Sequence, residues 1–202
     1  SFVSSTAIIF SLNDRTSTRL IRVQERTTDL EKIALTNSLS RKISNKELTI
    51  DEAKSEFIHL QHASLQYSFL TNFFAAAIAC GFFLFMFGGV ASDCWIAVIA
   101  GGSAFLTFSF VQRYIQIKFF SEFVAAAVVI SIAATFTKLG IATNQDIITI
   151  ASVMPLVPGI LITNAIRDLL AGELLAGMSR GVEAALTAFA IGAGVAIVLL
   201  II

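Results

Sequence analysis

Long apolar runs with hardly any charge are the feature that most constrains how this chain can fold. Of its 202 residues, 56% are hydrophobic and 14% are charged, whereas soluble globular domains carry about a quarter of charged residues. Seventeen of the 28 charges fall within residues 1–68, and the other eleven are spread over residues 69–202. This distribution predicts a small polar segment followed by a membrane domain. It excludes a secreted disulfide scaffold, a disordered tail and a basic nucleic-acid binder.

Five apolar runs follow one another in the second part of the chain. A helix needs about 20 residues to cross the hydrocarbon core of a bilayer, so three runs are long enough and the second is near the lower limit. The fourth run reaches only ~24 Å as a helix and contains Pro155 and Pro158. We therefore predict a polytopic, predominantly α-helical membrane protein with five spans, the fourth broken at the two prolines. The predicted spans are Phe69–Val90, Cys94–Val111, Phe119–Thr137, Ile147–Ile162 and Val182–Ile202.

The placement of Lys and Arg predicts the orientation of these spans. Thirteen of the fourteen lie before the first span, between residues 113 and 118, or between residues 167 and 180, and Lys138 is the exception. Five crossings place these thirteen basic residues on one side of the bilayer and Lys138 on the other. The positive-inside bias then predicts a cytoplasmic N-terminus and a C-terminus outside. Because an odd number of spans cannot close an inverted repeat by itself, we expect a partner subunit or a homo-oligomer.

Residues 1–66 are predicted to form a small cytoplasmic α+β segment, and residues 67–202 the transmembrane domain. Phe2–Phe10 and Thr18–Gln24 are rich in strand-forming residues around a polar turn, which predicts a β-hairpin. Two helices should follow, the second running without a breaker into the first span. Because the chain starts with Ser inside a strand, we expect it to be N-terminally truncated. Capping boxes mark the two helix starts at Thr28 with Glu31 and at Thr49 with Glu52.

No cofactor, metal or catalytic residue is predicted. The sequence has no Walker A phosphate loop, which argues against direct use of ATP. Glu56, His59 and His62 carry metal-binding side chains, but His62 lies roughly 240° around the helix from Glu56. The three side chains therefore do not converge on one ion, and we interpret them as ordinary residues of an interfacial helix end.

Small residues recur within the predicted spans. In lipid, such residues allow the backbones of neighbouring helices to approach closely. We interpret them as packing positions rather than as a substrate path. They are Ala75–Ala77, Gly101–Gly102, Ala125–Ala127 and a small-xxx-small ladder formed by Ala184, Ala188, Gly192 and Ala196.

The segment from residue 154 to residue 172 differs from the other apolar runs. Pro155 and Pro158 remove two N–H donors, and Gly159 loosens the helix further. Carbonyl groups freed in this way are tolerated at membrane depth where they are buried in protein or line a wet cavity. Because secondary transporters bind their substrates at such broken helices, the break is a candidate substrate site.

Polar residues at helical spacing follow this break. Arg167 could hold the carboxylate of a zwitterionic solute and Asp168 its ammonium, while Thr163 and Asn164 add neutral hydrogen bonds. The alternative is a proline kink followed by an interfacial Arg–Asp pair. The predicted substrate-binding residues are Pro155, Pro158, Gly159, Thr163, Asn164, Arg167 and Asp168. Glu122 and Glu183, at the edges of the third and fifth spans, are candidates for a proton relay or else solvated interfacial carboxylates.

Two motifs together resemble the bacterial threonine/serine exporter family. They are RLIRVQERTTDLEKIAL at residues 19–35 and MPLVPGILITNAIRDLLAG at residues 154–172, and the resemblance extends over essentially the whole chain. It implies a soluble N-terminal part and two five-span halves, either fused or split between two proteins. This chain resembles the larger subunit of the split form, which implies a smaller five-span partner with its own Pro-Leu-Val-Pro-Gly-like motif. It departs from the family pattern in lacking the N-terminal helices before the hairpin.

These observations predict a subunit of a secondary exporter in the bacterial inner membrane. The resemblance implies export of small hydroxy amino acids or of dicarboxylates such as succinate, and we expect an ion gradient to drive it. An Arg–Asp pair fits a zwitterion slightly better than a dianion, which would favour two cations. A non-transporting assembly or regulatory subunit is the alternative, followed by a membrane-embedded enzyme. The expected partners are the smaller subunit or a second copy, the carboxylated substrate and the lipid bilayer, without nucleic acid.

Overall fold

The computed structural model describes residues 2–3, 7–11, 18–22, 29–62, 67–115, 117 and 119–202. These described residues are predominantly helical, as predicted. Their contacts divide the chain into two units, one formed by Ser1–Arg22 with Phe69–Ile202 and one formed by Val23–Ser68. The division into a segment of residues 1–66 and a domain of residues 67–202 stays a prediction.

The described residues of the smaller unit form two helices, α1 (Leu30–Ser44) and α2 (Ile50–His62). Asp29 caps α1, because its carboxylate accepts a hydrogen bond from the Lys32 N–H at 3.0 Å. The capping box predicted one residue earlier involves Thr28, which lies outside the described residues. Lys42 of α1 donates to Glu56 of α2 at 3.3 Å.

The second predicted capping box forms at the start of α2. The backbone N–H and the hydroxyl of Thr49 donate to the Glu52 carboxylate at 2.9 and 2.7 Å, and the Glu52 N–H points back to the Thr49 hydroxyl at 3.4 Å. The backbone hydrogen bond from Thr49, followed by the bond from its hydroxyl, lowers the pKa of Glu52. The expectation that α2 continues into the first span is wrong, because α2 ends at His62 and residues 67–68 are not helical.

Three short strands form an antiparallel sheet in the order β1-β2-β3. β2 (Ala7–Ser11) and β3 (Thr18–Arg22) pair where the hairpin was predicted, with Ile9 opposite Leu20. The single first strand of the prediction is divided, since β1 (Phe2–Val3) folds back and pairs with β2. Gln24, the predicted end of the second strand, lies outside the described residues.

Four helices are long and apolar enough to cross a membrane in the described part of the chain. Their bounds agree with four of the predicted spans to within a few residues, except that the last begins eight residues earlier than predicted. A fifth span exists only if two shorter helices, joined by a 62° bend, are counted as one. The four helices are α3 (Phe69–Met86), α4 (Cys94–Tyr114), α5 (Phe120–Lys138) and α8 (Leu174–Ile201). The two shorter helices are α6 (Gln145–Val153) and α7 (Gly159–Leu170).

The break in the fourth predicted span is therefore confirmed at the prolines, whereas the number of five spans stays a prediction. α6 packs among α3, α4 and α5, while the main packing partner of α7 is the first half of α8. The second half of α8 packs against α5. Two clusters of buried side chains hold these helices together. One contains Leu84, Ile96, Ala97, Ala133, Ala142, Ile148 and Ala151, and the other Ala104, Ala126, Val129, Val153 and Ile191.

Small residues permit close helix contacts, but not everywhere that was predicted. Gly101 on α4 is buried against α3, where an added Cβ would lie 2.7 Å from the Cβ of Cys80. Most of the ladder predicted on α8 is exposed on this chain, and its role as a packing surface stays a prediction. Ala184 is buried, whereas Ala188, Gly192 and Ala196 are exposed. The buried face of α8 is rotated around the helix from the three exposed residues. It contains Ala184, Thr187, Ala190, Ile191 and Gly194.

Asp93 fixes the start of α6, which sequence reasoning missed. Its side chain is fully buried, and its two carboxylate oxygens accept hydrogen bonds from the backbone N–H groups of Thr143 at 3.1 Å and Asn144 at 3.0 Å. The Ser92 hydroxyl also donates to it at 3.3 Å. Buried carboxylates are tolerated when hydrogen bonds replace their hydration. Asp93 thus ties the loop before α6 to the turn before α4.

Candidate functional site

The break between α6 and α7 is built from a short turn between two prolines. Met154–Leu156, with Pro155 inside it, forms one turn of 3-10 helix directly after α6. Val157 is extended, and Pro158 is the residue from which α7 starts. Since neither proline has an N–H to continue the helical ladder, the axis changes direction here by 62°.

The N-terminus of α7 opens at this break without a capping side chain. Helix N-termini carry unsatisfied N–H groups and a partial positive charge of about half an elementary unit. Gly159, the first residue of α7, is exposed, and an added Cβ would meet no atom within 4 Å. The helix end is therefore accessible from the side on which Gly159 lies.

Three exposed residues continue from this end along one face of α7. Gly159, Thr163 and Arg167 are spaced by four residues, so each lies about 40° around the axis from the one before. We call them the polar line. The Thr163 hydroxyl donates to the Gly159 carbonyl at 2.9 Å. The other strongly exposed large side chains of α7 are apolar, namely Ile160, Ile162, Ile166, Leu169 and Leu170.

Asp168 lies away from the polar line, on the side facing α8. Its carboxylate forms an ion pair and hydrogen bond with Arg180 of α8, and the Asp168 side chain is only 14% exposed. Arg180 was not among the predicted site residues. Neighbouring residues on a helix diverge by about 100°, so Arg167 and Asp168 do not act side by side. The sequence feature that could have pointed to Arg180 is Gly172. Its positive φ of 84° makes the turn that brings α8 back against α7.

The seven predicted binding residues do not form one compact cluster. Gly159 and Arg167 are eight residues apart on a continuous helix, so a rise of about 12 Å separates their backbone positions. One group lies at the break and contains Pro155, Pro158, Gly159 and Thr163. The other lies further along α7 and contains Asn164 at its middle and Arg167 and Asp168 towards its C-terminal end, together with Arg180.

The two candidate relay carboxylates lie on different helices. Glu122 is in the first turn of α5, and its Oε2 atom is buried and has no hydrogen-bond partner in the described structure. Glu183 is half-buried on α8, where its backbone carbonyl accepts a hydrogen bond from the Thr187 hydroxyl at 3.0 Å. Among the described residues, no group of three or more His, Cys, Asp or Glu side chains is placed to hold a metal ion.

The Asp168–Arg180 pair is expected to hold α7 against α8. Replacing either residue by its neutral amide, Asp168→Asn or Arg180→Gln, should lower the free energy of unfolding by about 1–3 kcal/mol, because a partly buried charge loses its partner. The double exchange Asp168→Arg with Arg180→Asp restores an opposite pair and should recover most of the loss. Thermal unfolding of the purified protein in detergent measures this. If the exchanged variant instead lost as much unfolding free energy as the two single variants together, the pairing would be contradicted.

The comparison with known families decides what kind of protein carries this geometry. A family model described as "Putative threonine/serine exporter" matches residues 1–202, the whole chain. The chain belongs to this family. The resemblance seen in its two motifs is thereby confirmed. No curated protein and no solved structure matches the chain. The description of this family indicates a membrane exporter, in agreement with the four apolar helices, and it suggests transport rather than catalysis.

Proposed function

We propose that this chain is one subunit of a secondary exporter that moves a small carboxylated metabolite out of the bacterial cytoplasm. Threonine or serine is the first candidate substrate, and a dicarboxylate such as succinate the second. The observation that supports this most directly is the uncapped N-terminus of α7, which opens beside Gly159 onto the polar line. Family membership supports export across a membrane.

The substrate carboxylate binds, in this proposal, at the first turn of α7. Backbone N–H groups and the helix dipole favour an anion there, as in the broken helices of other secondary transporters. Gly159 leaves room for a close approach, and Pro155 and Pro158 hold the break open. Arg167, two turns further along, is a second anion site, so a carboxylate moves between two positive positions past the Thr163 hydroxyl.

The remaining predicted residues support the second position. Asn164 offers a neutral amide on the half-buried side of α7. Asp168, because it is paired with Arg180, orients this end of α7 instead of receiving the substrate's ammonium. In this proposal the path has two separated positive positions and no free carboxylate between them. The preference for a zwitterionic substrate over a dianion, which the sequence suggested, therefore no longer holds.

A second protein completes the path in this proposal. The polar line is exposed, and α8 is the main neighbour of α7, so one wall of the path has to come from elsewhere. A smaller five-span subunit of the same family, or a second copy of this chain, would supply it. The broken pair α6–α7 then counts as the fourth of five spans, with a cytoplasmic N-terminus and a C-terminus outside, in agreement with the distribution of Lys and Arg.

Glu122 and Glu183 are the proposed proton relay. A carboxyl group at the edge of a membrane span exchanges protons with one side of the bilayer. In support of this role, the Oε2 atom of Glu122 is buried and has no hydrogen-bond partner in the described part of the chain. Coupling of export to the proton gradient then requires no bound nucleotide.

Efflux from loaded vesicles tests the proposal. The chain, its smaller partner and the two together are reconstituted separately, and each preparation is loaded with labelled threonine, serine or succinate under an imposed proton gradient. We expect the pair, or this chain alone if it forms homo-oligomers, to release one solute faster than protein-free vesicles, and only with the gradient. Efflux equal to that of empty vesicles would contradict the proposal. Full activity of the partner alone would assign this chain an assembly or regulatory role.

A further inference from the structure

A cleft away from the break between α6 and α7 lies between the N-terminal end of α3 and the C-terminal end of α4. Its volume is about 440 Å³, within the range of roughly 300–1,000 Å³ that is typical of small-molecule sites. None of the residues discussed for transport lines it. The lining residues are Phe69, Leu106, Thr107, Ser109, Phe110 and Arg113.

The walls of this cleft are apolar and aromatic. Phe69, Leu106 and Phe110 remain strongly exposed. The Phe69 ring packs against Phe105 with centroids 5.4 Å apart, and the Phe110 ring packs against Tyr114 at 4.6 Å. These contacts hold both aromatic walls in place while leaving their outer faces free. Such walls favour a hydrocarbon chain over a polar solute.

Arg113 supplies a positive charge at one end of the cleft. It lies in the last turn of α4, where the helix dipole favours a cation. Within the described residues it has no ion-pair partner, whereas Arg180 is paired with Asp168 and Lys42 with Glu56. Ser109 lies one turn before Arg113 and lines the same cleft. A cation and a hydroxyl group thus adjoin an apolar cleft at the end of two helices that are long enough to cross a bilayer.

We propose that this cleft binds an anionic phospholipid. The headgroup phosphate accepts hydrogen bonds from the Arg113 guanidinium and the Ser109 hydroxyl, and one acyl chain lies along Phe69, Leu106 and Phe110. Basic pockets between transmembrane helices at the membrane edge bind anionic headgroups in this way. A soluble phosphate would use the cation but gain nothing from the apolar walls, and a zwitterionic lipid would bring its own cation against Arg113.

Native mass spectrometry of the purified full chain in detergent tests this site. The protein is titrated with phosphatidylglycerol and, separately, with phosphatidylcholine that carries the same acyl chains. We expect phosphatidylglycerol to bind about fivefold more tightly, the effect of one basic residue near an anionic headgroup. Arg113→Gln should remove the preference and Arg113→Lys should keep most of it. Lys138→Gln, which removes a cation at the opposite end of the bundle, is the matched control and should leave the preference unchanged.

Two further measurements place the lipid in the cleft. Thr107→Trp fills the cleft without changing charge and should weaken phosphatidylglycerol binding even with Arg113 present, so it also serves if Arg113→Gln does not elute as a folded protein. Glycerol 3-phosphate should not compete, because it lacks acyl chains. Equal binding of the two lipids, a preference that survives in Arg113→Gln, unchanged binding in Thr107→Trp or full competition by glycerol 3-phosphate would each overturn the proposal.

Discussion

Gly194→Ala is expected to lower the free energy of unfolding by about 1–3 kcal/mol, the usual effect of overpacking a buried site. An added Cβ would overlap the carbonyl oxygen of Phe123 on α5 and would lie 3.1 Å from its carbonyl carbon and 3.2 Å from the Cβ of Ala126. The overlapping atoms belong to the backbone of α5, so no side-chain rotation relieves the clash. Either α5 and α8 separate or one of them bends.

Gly192→Ala is the matched control, two residues earlier on the same helix. An added Cβ there would meet nothing within 4 Å, and alanine is favoured over glycine in a helix by about 0.5–1 kcal/mol. Thermal unfolding of the purified proteins in detergent should therefore separate the two variants, with Gly192→Ala at or above the wild type. Equal unfolding temperatures would show that α5 and α8 do not approach as closely as described.

Arg167→Ala is expected to reduce export at least about tenfold, the effect of losing one charge-assisted hydrogen bond to a carboxylate. Arg167 is exposed at the end of the polar line, and no ion pair holds it within the described structure. Its loss should therefore leave the unfolding temperature close to that of the wild type. The measurement is efflux from vesicles that contain equal amounts of each variant together with the partner.

Two further variants separate the charge of Arg167 from its bulk. Arg167→Lys keeps a positive charge without the planar fork and should retain part of the efflux. Leu170→Ala shortens a side chain that is 84% exposed at the same end of α7, and it should transport like the wild type. Efflux at the wild-type rate from Arg167→Ala would contradict the assignment of this end of α7 to the substrate path.

The apolar spans could be predicted because an uninterrupted apolar run of about 18 residues or more is characteristic of membrane-spanning helices. α3, α4 and α5 begin and end close to the predicted residues. The start of α8 was placed too late because the charge of Arg180 lies just before the predicted run. In the structure α8 includes Arg180, whose charge is paired with Asp168 of α7. A hydropathy profile gives a charged residue the same value whether or not a residue on another helix neutralises it.

The faces of the helices and the pairing of side chains were not predictable in the same way. A spacing of four residues identifies Ala188, Gly192 and Ala196 as one stripe, but it does not say which neighbour that stripe meets, and the structure leaves it exposed. The break at the prolines follows from backbone chemistry and was predicted. The partner of Asp168 was not, because it is twelve residues away on the next helix and depends on how the chain turns at Gly172.

The buried carboxylate of Asp93 has a consequence for biogenesis. α6 has nine residues, a length of about 14 Å, less than half of the roughly 30 Å hydrocarbon core, so it has no stable position in lipid as an isolated segment. Asp93 binds the backbone N–H groups of Thr143 and Asn144, directly before α6, and the sides of α6 pack against α3, α4 and α5. Insertion of α6 therefore depends on a template of three earlier helices. The order of synthesis meets that requirement, because Asp93 leaves the ribosome some fifty residues before Thr143, whose N–H it binds.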